Sequence, residues 1–238
     1  MTTHPAALRR LYLMQVAKGL TPVVCYLVQT GDGKNILIDS GLPKGFQPPP
    51  EMGLPPISYA QDVVEQLALL NLRPEDIDIL ICTHFDIDHC GNHPAFARAE
   101  LVVQRQHYEL ARSGHPRFAR WSSRWDDPAL HYRQLDGDSV LLPGIELIVT
   151  NGHTRGHQSV LVRLPETGPV LLTIDAVPSQ NLFAPDRPKT PQDDNEELAR
   201  EGARKLIAVA EREQAGLVVF GHDNAQWETL KKLPEYYS

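Results

Sequence analysis

The stretch Thr83–His93, THFDIDHCGNH, sets His84, Asp86, Asp88 and His89 at relative positions 0, 2, 4 and 5, directly behind the apolar run IDILIC. Imidazole nitrogen and carboxylate oxygen are the usual donors for divalent zinc, manganese or iron. A regular helix cannot turn all of these side chains onto one small ion, because residues two apart do not share a face. A tight loop running into a helix can instead divide them between two adjacent ions, with a carboxylate or a hydroxide bridging. Three more metal-competent residues stand in the same kind of context: His153 follows IELIVTNG, Asp175 follows VLLTI, and His222 follows LVVFG. Ligand sites in α/β architectures gather beyond the carboxyl ends of strands. Singly, each residue has an ordinary structural explanation: Asp175 could cap a turn, His153 could belong to a polar loop, and His222 could bond a carbonyl. Their recurrence at the ends of apolar runs points to one shared site, with Asp175 as the candidate bridging ligand.

The elements that must position these residues are legible in outline. VVCYLVQT and KNILIDSG, joined by GDG, read as a β-hairpin. IDILICT, AELVVQ, GIELIVT, PVLLTI and GLVVF read as further strands. SYAQDVVEQLALLN has helical spacing, with Ser58 as cap and Val63, Val64, Leu67 and Leu70 on one face. DNEELAREGARKLIAVAERE is an amphipathic helix whose apolar face is expected at Leu198, Leu206, Ile207 and Ala210. Between the hairpin and the first helix lies GLPKGFQPPPEMGLPP, a long irregular segment whose Leu42, Phe46, Met52 and Leu54 suggest a lid or pocket wall. Strands intermixed with helices imply sheets covered by helices, an α/β (α+β) class. With 238 residues and no low-complexity linker, residues 1–238 are expected to form a single domain.

The formal net charge of −7 argues against a nucleic-acid partner, which needs a basic footprint. The exception is the arginine-rich arm from Arg105 to Arg133, which also holds Trp121 and Trp125; a solvated helical arm or lid is the simpler reading. No segment is apolar and long enough for a signal peptide or a bilayer span. Three irregularly spaced cysteines give no disulfide framework, so a cytoplasmic protein with reduced thiols is expected, Cys90 being a packing residue.

THFDIDHCGNH, NGHTRGH, IDA and FGHD occur in the order and at the approximate intervals of the metallo-β-lactamase superfamily, which the chain resembles from about Val23 to its C-terminus, including ILIDSG. GHTRGHQSVLV and VVFGHDNAQW look most like the N-acyl homoserine lactonase branch. The resemblance implies a four-layer αββα sandwich and two divalent metal ions, with zinc the first choice and manganese or iron as alternatives. It assigns His84, Asp86 and His153 to the first ion, Asp88, His89 and His222 to the second, and Asp175 to both. His157 and Asp39 would orient ligands. The implied reaction is opening of a lactone ring by a metal-bridging hydroxide, with Asp88 passing a proton to the leaving oxygen, and Phe46, Leu54, Trp121, Trp125 and Phe183 lining a groove for an acyl chain.

Two departures stand out. The second position of the family's H-x-H-x-D-H motif is Asp86, and the tyrosine common three residues after the bridging aspartate is Pro178. If Asp86 ligates, the site carries three carboxylates, favours harder ions and blunts the acidity of the first. Other readings remain open: a hydrolase of the superfamily acting on a thioester, a phosphodiester or a different lactone, or a non-hydrolytic redox or binding protein. The expected partner is a small ester or lactone, and a homodimer is the candidate assembly.

Overall fold

The alternation of the first strand shows how the layers are built. In the computed structural model, which describes residues 7–50, 53, 55–59 and 61–238, β1 spans Leu8–Lys18. Its Tyr12, Met14 and Val16 enter one apolar cluster with Leu37, Leu67 and Leu80, while Leu11 and Leu13 enter a second with Val28, Ile36, Val160 and Val170. Successive side chains of a strand point to opposite faces, so β1 is covered on both. That is why the LYLM segment is continuously apolar instead of alternating, and why its sequence does not stand out as a strand.

β1 pairs antiparallel with β2 (Pro22–Thr30), and β2 with β3 (Asn35–Ile38), which is the expected hairpin. β4 (Ile79–Ile81), β5 (Glu100–Gln104) and β6 (His131–Leu135) then add in parallel, completing a six-stranded sheet in the order β1-β2-β3-β4-β5-β6. The second sheet holds β7 (Ser139–Leu142), β8 (Ile145–Val149), β9 (Gln158–Leu164), β10 (Gly168–Ile174) and β11 (Leu217–Phe220), ordered β11-β10-β9-β8-β7. β10 and β11 run parallel, so their carboxyl ends share one edge.

Helices cover both outer faces. On the first sheet lie α1 (Val63–Leu69) and α2 (Ile87–Cys90), followed by the arm helices α3 (Arg105–Arg112), α4 (Pro116–Ala119) and α5 (Ser122–Trp125). On the second lies α6 (Glu196–Glu213), while α7 (Asn224–Thr229) follows β11 and sends Trp227 into the cluster between the sheets. Helix, sheet, sheet and helix make the αββα sandwich. Two details correct the sequence reading. α1 is capped by Asp62 in a reciprocal box with Glu65, while Ser58 pairs with Lys18 as an isolated bridge. α6 buries Ala199, Gly202, Ala203, Leu206 and Val209, and Leu198 is exposed, because the small residues let the helix sit close to the sheet. Among the described residues no helix is long and apolar enough to cross a membrane.

The joint that fixes α2 is tight. A Cβ built on Gly91 would lie 2.3 Å from Pro43 Cδ and 2.5 Å from the Gly41 carbonyl oxygen, while Asn92 Nδ2 donates to the carbonyls of Ser40 and Leu42. Only glycine allows the loop after β3 to lock onto the helix that carries Asp88 and His89. Gly91→Ala should therefore destabilise the protein by about 1–3 kcal/mol, the usual cost of overpacking, in equilibrium urea unfolding; an unchanged midpoint would contradict this joint.

Candidate metal centre

The carboxyl ends of β4, β8, β10 and β11 converge at one edge of the sandwich, and each releases one of the residues singled out in the sequence. His84 leaves β4 through Thr83, and Asp86 ends the short loop by standing at the N-cap of α2. Asp88 and His89 sit in the first turn of α2, so the loop-into-helix arrangement presents donors from both. His153 comes from the loop after β8, whose Gly152 lies against the backbone of Ala199 so closely that a Cβ would meet its nitrogen at 2.2 Å. Asp175 follows Ile174, a β-branched residue held at φ 53. Such a conformation is costly away from glycine and persists where the surroundings impose it; here it turns Asp175 off the strand and into the site.

The donors fall into two trios: His84, Asp86 and His153, and Asp88, His89 and His222, with the candidate ligand atoms of each trio within 4.8 Å of one another. Asp175 lies between them. Its Oδ2 is 3.8 Å from His84 Nε2 and 3.3 Å from His153 Nε2, and its Oδ1 is 3.4 Å from His89 Nε2 and 3.0 Å from His222 Nε2. Each oxygen faces a different trio.

Behind the donors, a further ring of contacts fixes the imidazoles. Nδ1 of His89 pairs with Asp39 Oδ2 at 2.8 Å, and that of His222 donates to the Pro22 carbonyl at 2.8 Å. Thr83 Oγ1 meets His84 Nδ1 at 3.0 Å and itself donates to Asp39 Oδ2 at 2.7 Å. Asp193 Oδ1 stands 3.8 Å from His153 Nδ1. Holding Nδ1 in this way aims Nε2 inward. Asp39, in a left-handed backbone conformation at φ 58, thus braces two ligand candidates at once. His157 is fully buried; its Nδ1 meets Thr150 Oγ1 at 2.8 Å and its Nε2 accepts from the Asp175 N–H at 3.3 Å, tying the His153 loop to Asp175. His107 accepts the Phe85 N–H and donates to the Arg155 carbonyl, a structural brace under the His84 loop.

The donor set fits a cation. The buried Nε2 atoms of His84 and His89 and Oδ1 of Asp175 have no hydrogen bond of acceptable geometry, although they crowd together. Buried polar atoms in native proteins are nearly always satisfied, and close, misaligned nitrogens and carboxylate oxygens are what a shared cation would satisfy. Electrostatics agree. Burial alone would raise the carboxyl of Asp175, but His222, His89 and His153 outweigh it and hold it well below the usual carboxylate range. Burial, with His89 beside it, keeps His84 neutral by pushing its pKa well down. For His222 burial is overcome by Asp175, and its pKa is pushed up to about 9. His89 is likewise raised against its burial, by Asp175, Asp88 and Asp39.

Not every residue expected at the site is there. Trp125 is buried, stacked on Phe85 at 5.0 Å and 8°, with its indole N–H on the Phe118 carbonyl; it is core, because the arm folds back onto the first sheet. Phe183 is half-buried against Phe220 beside the α6-side core, with part of its surface on an open hollow next to Gln180. Phe46 and Trp121 do meet, edge to face at 5.5 Å, joining the segment after β3 to the arm. Leu54 and Met52 lie outside the described residues. Cys90 is a packing residue with Sγ on the Phe85 carbonyl. Beside His222 an open hollow of about 660 Å³ is bordered by Ser179, Gln180, Asn181, Asp223 and Asn224.

Two residues that the sequence reading passed over belong to this centre. Arg117 of α4 grips Asp86 through Nε to Oδ1 at 2.8 Å and Nη2 to Oδ2 at 2.5 Å. Asp193 pairs with buried Arg187 at 2.8 Å beneath His153. Arg117 was hidden among the arm's other arginines; the signal that could have found it is Asp86 itself, an extra half-buried carboxylate that calls for a cation.

Comparison with known proteins follows the same lines. A family model described as the metallo-beta-lactamase superfamily matches residues 19–222. An N-acyl homoserine lactonase of Bacillus sp is 35% identical over 224 residues, covering 90% of this chain and 86% of its own. One of Rhizobium johnstonii is 33% identical over 249 residues, covering 91% and 88%. Among solved structures, a quorum-quenching N-acyl homoserine lactone lactonase superposes with a TM-score of 0.86 at 29% identity, covering 98% of this chain and 100% of that one. An N-acyl homoserine lactone hydrolase with its product N-hexanoyl-L-homoserine bound at the catalytic metal centre gives 0.83 at 27% identity, covering 97% and 100%.

Metal ligands must be deprotonated, so binding displaces protons. With His222 raised from 6.5 to about 9 and His89 also raised, cation uptake by their trio should tighten as pH climbs from 6.5 toward 9 and should release protons; the His84 trio should be less sensitive. Calorimetric titration of metal-free protein in buffers of different ionisation enthalpy measures this. Uptake with no proton release at pH 7 would contradict it.

Proposed function

Because the chain belongs to the metallo-beta-lactamase superfamily and, within it, to the family of the N-acyl homoserine lactonases, we propose that it opens the lactone ring of N-acyl homoserine lactones at a two-ion centre. The observation that carries this reading is Asp175, whose two oxygens face two separate trios of donors. In this reading His84, Asp86 and His153 would hold the first ion, Asp88, His89 and His222 would hold the second, and Asp175 would be shared between them. Zinc suits the histidine-rich set, and the three carboxylates extend the range toward manganese and iron. When bound, such ions lower the pKa of water toward about 7 and polarise an ester carbonyl.

The chain's own residues do the rest. Water adds across the acyl–oxygen bond, leaving a carboxylate and a free hydroxyl, so the leaving ring oxygen needs a proton. Asp88 is the carboxylate suited to deliver it. Its side chain is 29% exposed, against 17% for Asp86 and 9% for Asp175, so it is the most open of the three to an incoming substrate. General acid work requires a group within reach of the reacting atom. The Phe46–Trp121 pair offers an apolar surface for an acyl chain at the rim, and the hollow beside His222 offers polar groups for the ring end. Pro178 cannot polarise a carbonyl; its own carbonyl accepts the His222 N–H at 3.0 Å and so helps seat that ligand candidate.

A phosphodiester substrate fits less well. Four of the arm's six arginines are engaged by carboxylates, Arg105 with Asp136, Arg112 with Asp126, Arg117 with Asp86 and Arg133 with Glu100, and Arg120 lies over Trp121, which leaves Arg124. The free, buried state of Cys25, Cys82 and Cys90 supports a reducing, cytoplasmic setting.

Metal-quantified protein assayed on N-hexanoyl homoserine lactone, an acyl thioester and a nitrophenyl phosphodiester tests the reading: the lactone should turn over fastest, and exclusive phosphodiester cleavage would refute it. Asp88→Asn should lower kcat by about 10²–10⁴-fold, the usual worth of a positioned acid, with a smaller change in KM. An unchanged kcat would remove Asp88 from the proton path.

A further inference from the structure

Asp86 is the donor that departs from imidazole in the first trio, and it arrives with a dedicated partner. Arg117 meets it edge to edge, Nε to Oδ1 at 2.8 Å and Nη2 to Oδ2 at 2.5 Å. The same guanidinium is anchored on its far side, where Nη1 donates to the carbonyls of His153 at 3.1 Å and Gln192 at 2.9 Å and to Asp194 Oδ1 at 3.0 Å. Nη2 also lies 2.8 Å from His153 Nε2. A guanidinium has five N–H donors in a rigid fork, and here the fork ties Asp86 to the loop that carries His153. The Asp86 carboxylate is thereby fixed 3.2 Å from His84 Nε2 and 3.1 Å from His153 Nε2 through its Oδ2.

We propose that Arg117 is a positioning residue for the first trio: its fork holds Asp86 and the His153 loop in one geometry, so that a short carboxylate serves as the third donor there. This rests on the two-ion reading above. Cation uptake would engage both atoms that Nη2 now contacts, His153 Nε2 and Asp86 Oδ2, and no other contact of the fork. The bond from Nε to Asp86 Oδ1 and those from Nη1 to the 192–194 segment can stay, so the carboxylate remains clamped while its inner edge is used. The guanidinium's charge is shared between Asp86 and Asp194, so its repulsion of an ion is offset and its geometric effect dominates. The alternative, a bare aspartate at this place, would be free to turn toward solvent, since the side chain is 17% exposed. The clamp also changes the expectation that a third carboxylate blunts the first ion, because part of the Asp86 charge is already engaged by Arg117.

The test is cobalt binding to the full chain, read by ions retained per chain and by the visible ligand-field spectrum. Wild-type protein should hold two cobalt ions; fewer would refute the two-ion reading itself, before any variant is made. In Arg117→Met and Arg117→Lys the first-site affinity should fall about 10–100-fold, the usual cost of losing a partner that orients a metal ligand, with the second ion and its spectrum retained. Lysine keeps the charge without the fork, so equal losses in both variants separate geometry from charge, and circular dichroism confirms that each is folded. If the methionine variant does not fold, the lysine variant gives the same reading. In an Asp86→Asn background, Arg117→Lys should cost less than about threefold more, because coupled residues do not add. Unchanged or tighter first-site binding in the Arg117 variants, or an equal loss with and without Asp86, would overturn the proposal.

Discussion

A carboxylate buried among four imidazoles is the interaction on which the centre depends. Asp175 is 7% exposed, and His84, His89, His153 and His222 all turn Nε2 toward it within 3.8 Å. Removing such groups from water costs several kcal/mol per ion unless partners are supplied. The groups partly compensate one another: the imidazoles hold the Asp175 carboxyl well below the usual range, and its charge raises His222 and His89 against their burial. His84 Nε2, His89 Nε2 and Asp175 Oδ1 are buried without hydrogen bonds in this same set, so the arrangement that is costly for an ordinary core is the arrangement a pair of cations would satisfy.

The fold supplies that arrangement by symmetry of means. Strands of both sheets end at one edge, and every candidate donor emerges within a few residues of a strand end or from the short helix that follows one. Rigid layers hold the strand ends, and glycine contacts at Gly91 and Gly152 let loops approach backbone that any larger residue would push away. Behind the donors, Asp39, Thr83, Asp193 and the Pro22 carbonyl fix the rings from the opposite side. The strained Ile174 belongs to the same scheme, since its left-handed turn at the β10–β11 bulge aims Asp175.

The gathering of these histidines and aspartates at one edge was legible because it depends on residue type and local context, a histidine or aspartate ending an apolar run, while the four-layer order was implied by the family resemblance. What escaped depends on distant contacts. β1 looked unremarkable because burial on both faces removes alternation, and β6 is too polar to stand out, with His131, Tyr132, Arg133 and Gln134 on a half-exposed edge. The buried face of α6 was only partly placed: Leu206 is buried as expected, but Ala199, Gly202 and Ala203 meet the sheet where Leu198 was expected. Trp125 was expected to line an acyl groove, yet the arm folds back and stacks it on Phe85. Arg117 and Asp193 have no local signature, because each acquires its role only through partners far away in sequence.

Anomalous scattering at the metal edge from crystals of the cation-loaded protein tests the central claim most directly. The account predicts two peaks about 3.5–4 Å apart, the usual spacing of paired hydrolytic ions, one beside His84, Asp86 and His153 and the other beside Asp88, His89 and His222, with one oxygen of Asp175 on each. A single peak, or a pair in which Asp175 touches neither or only one ion, would contradict it.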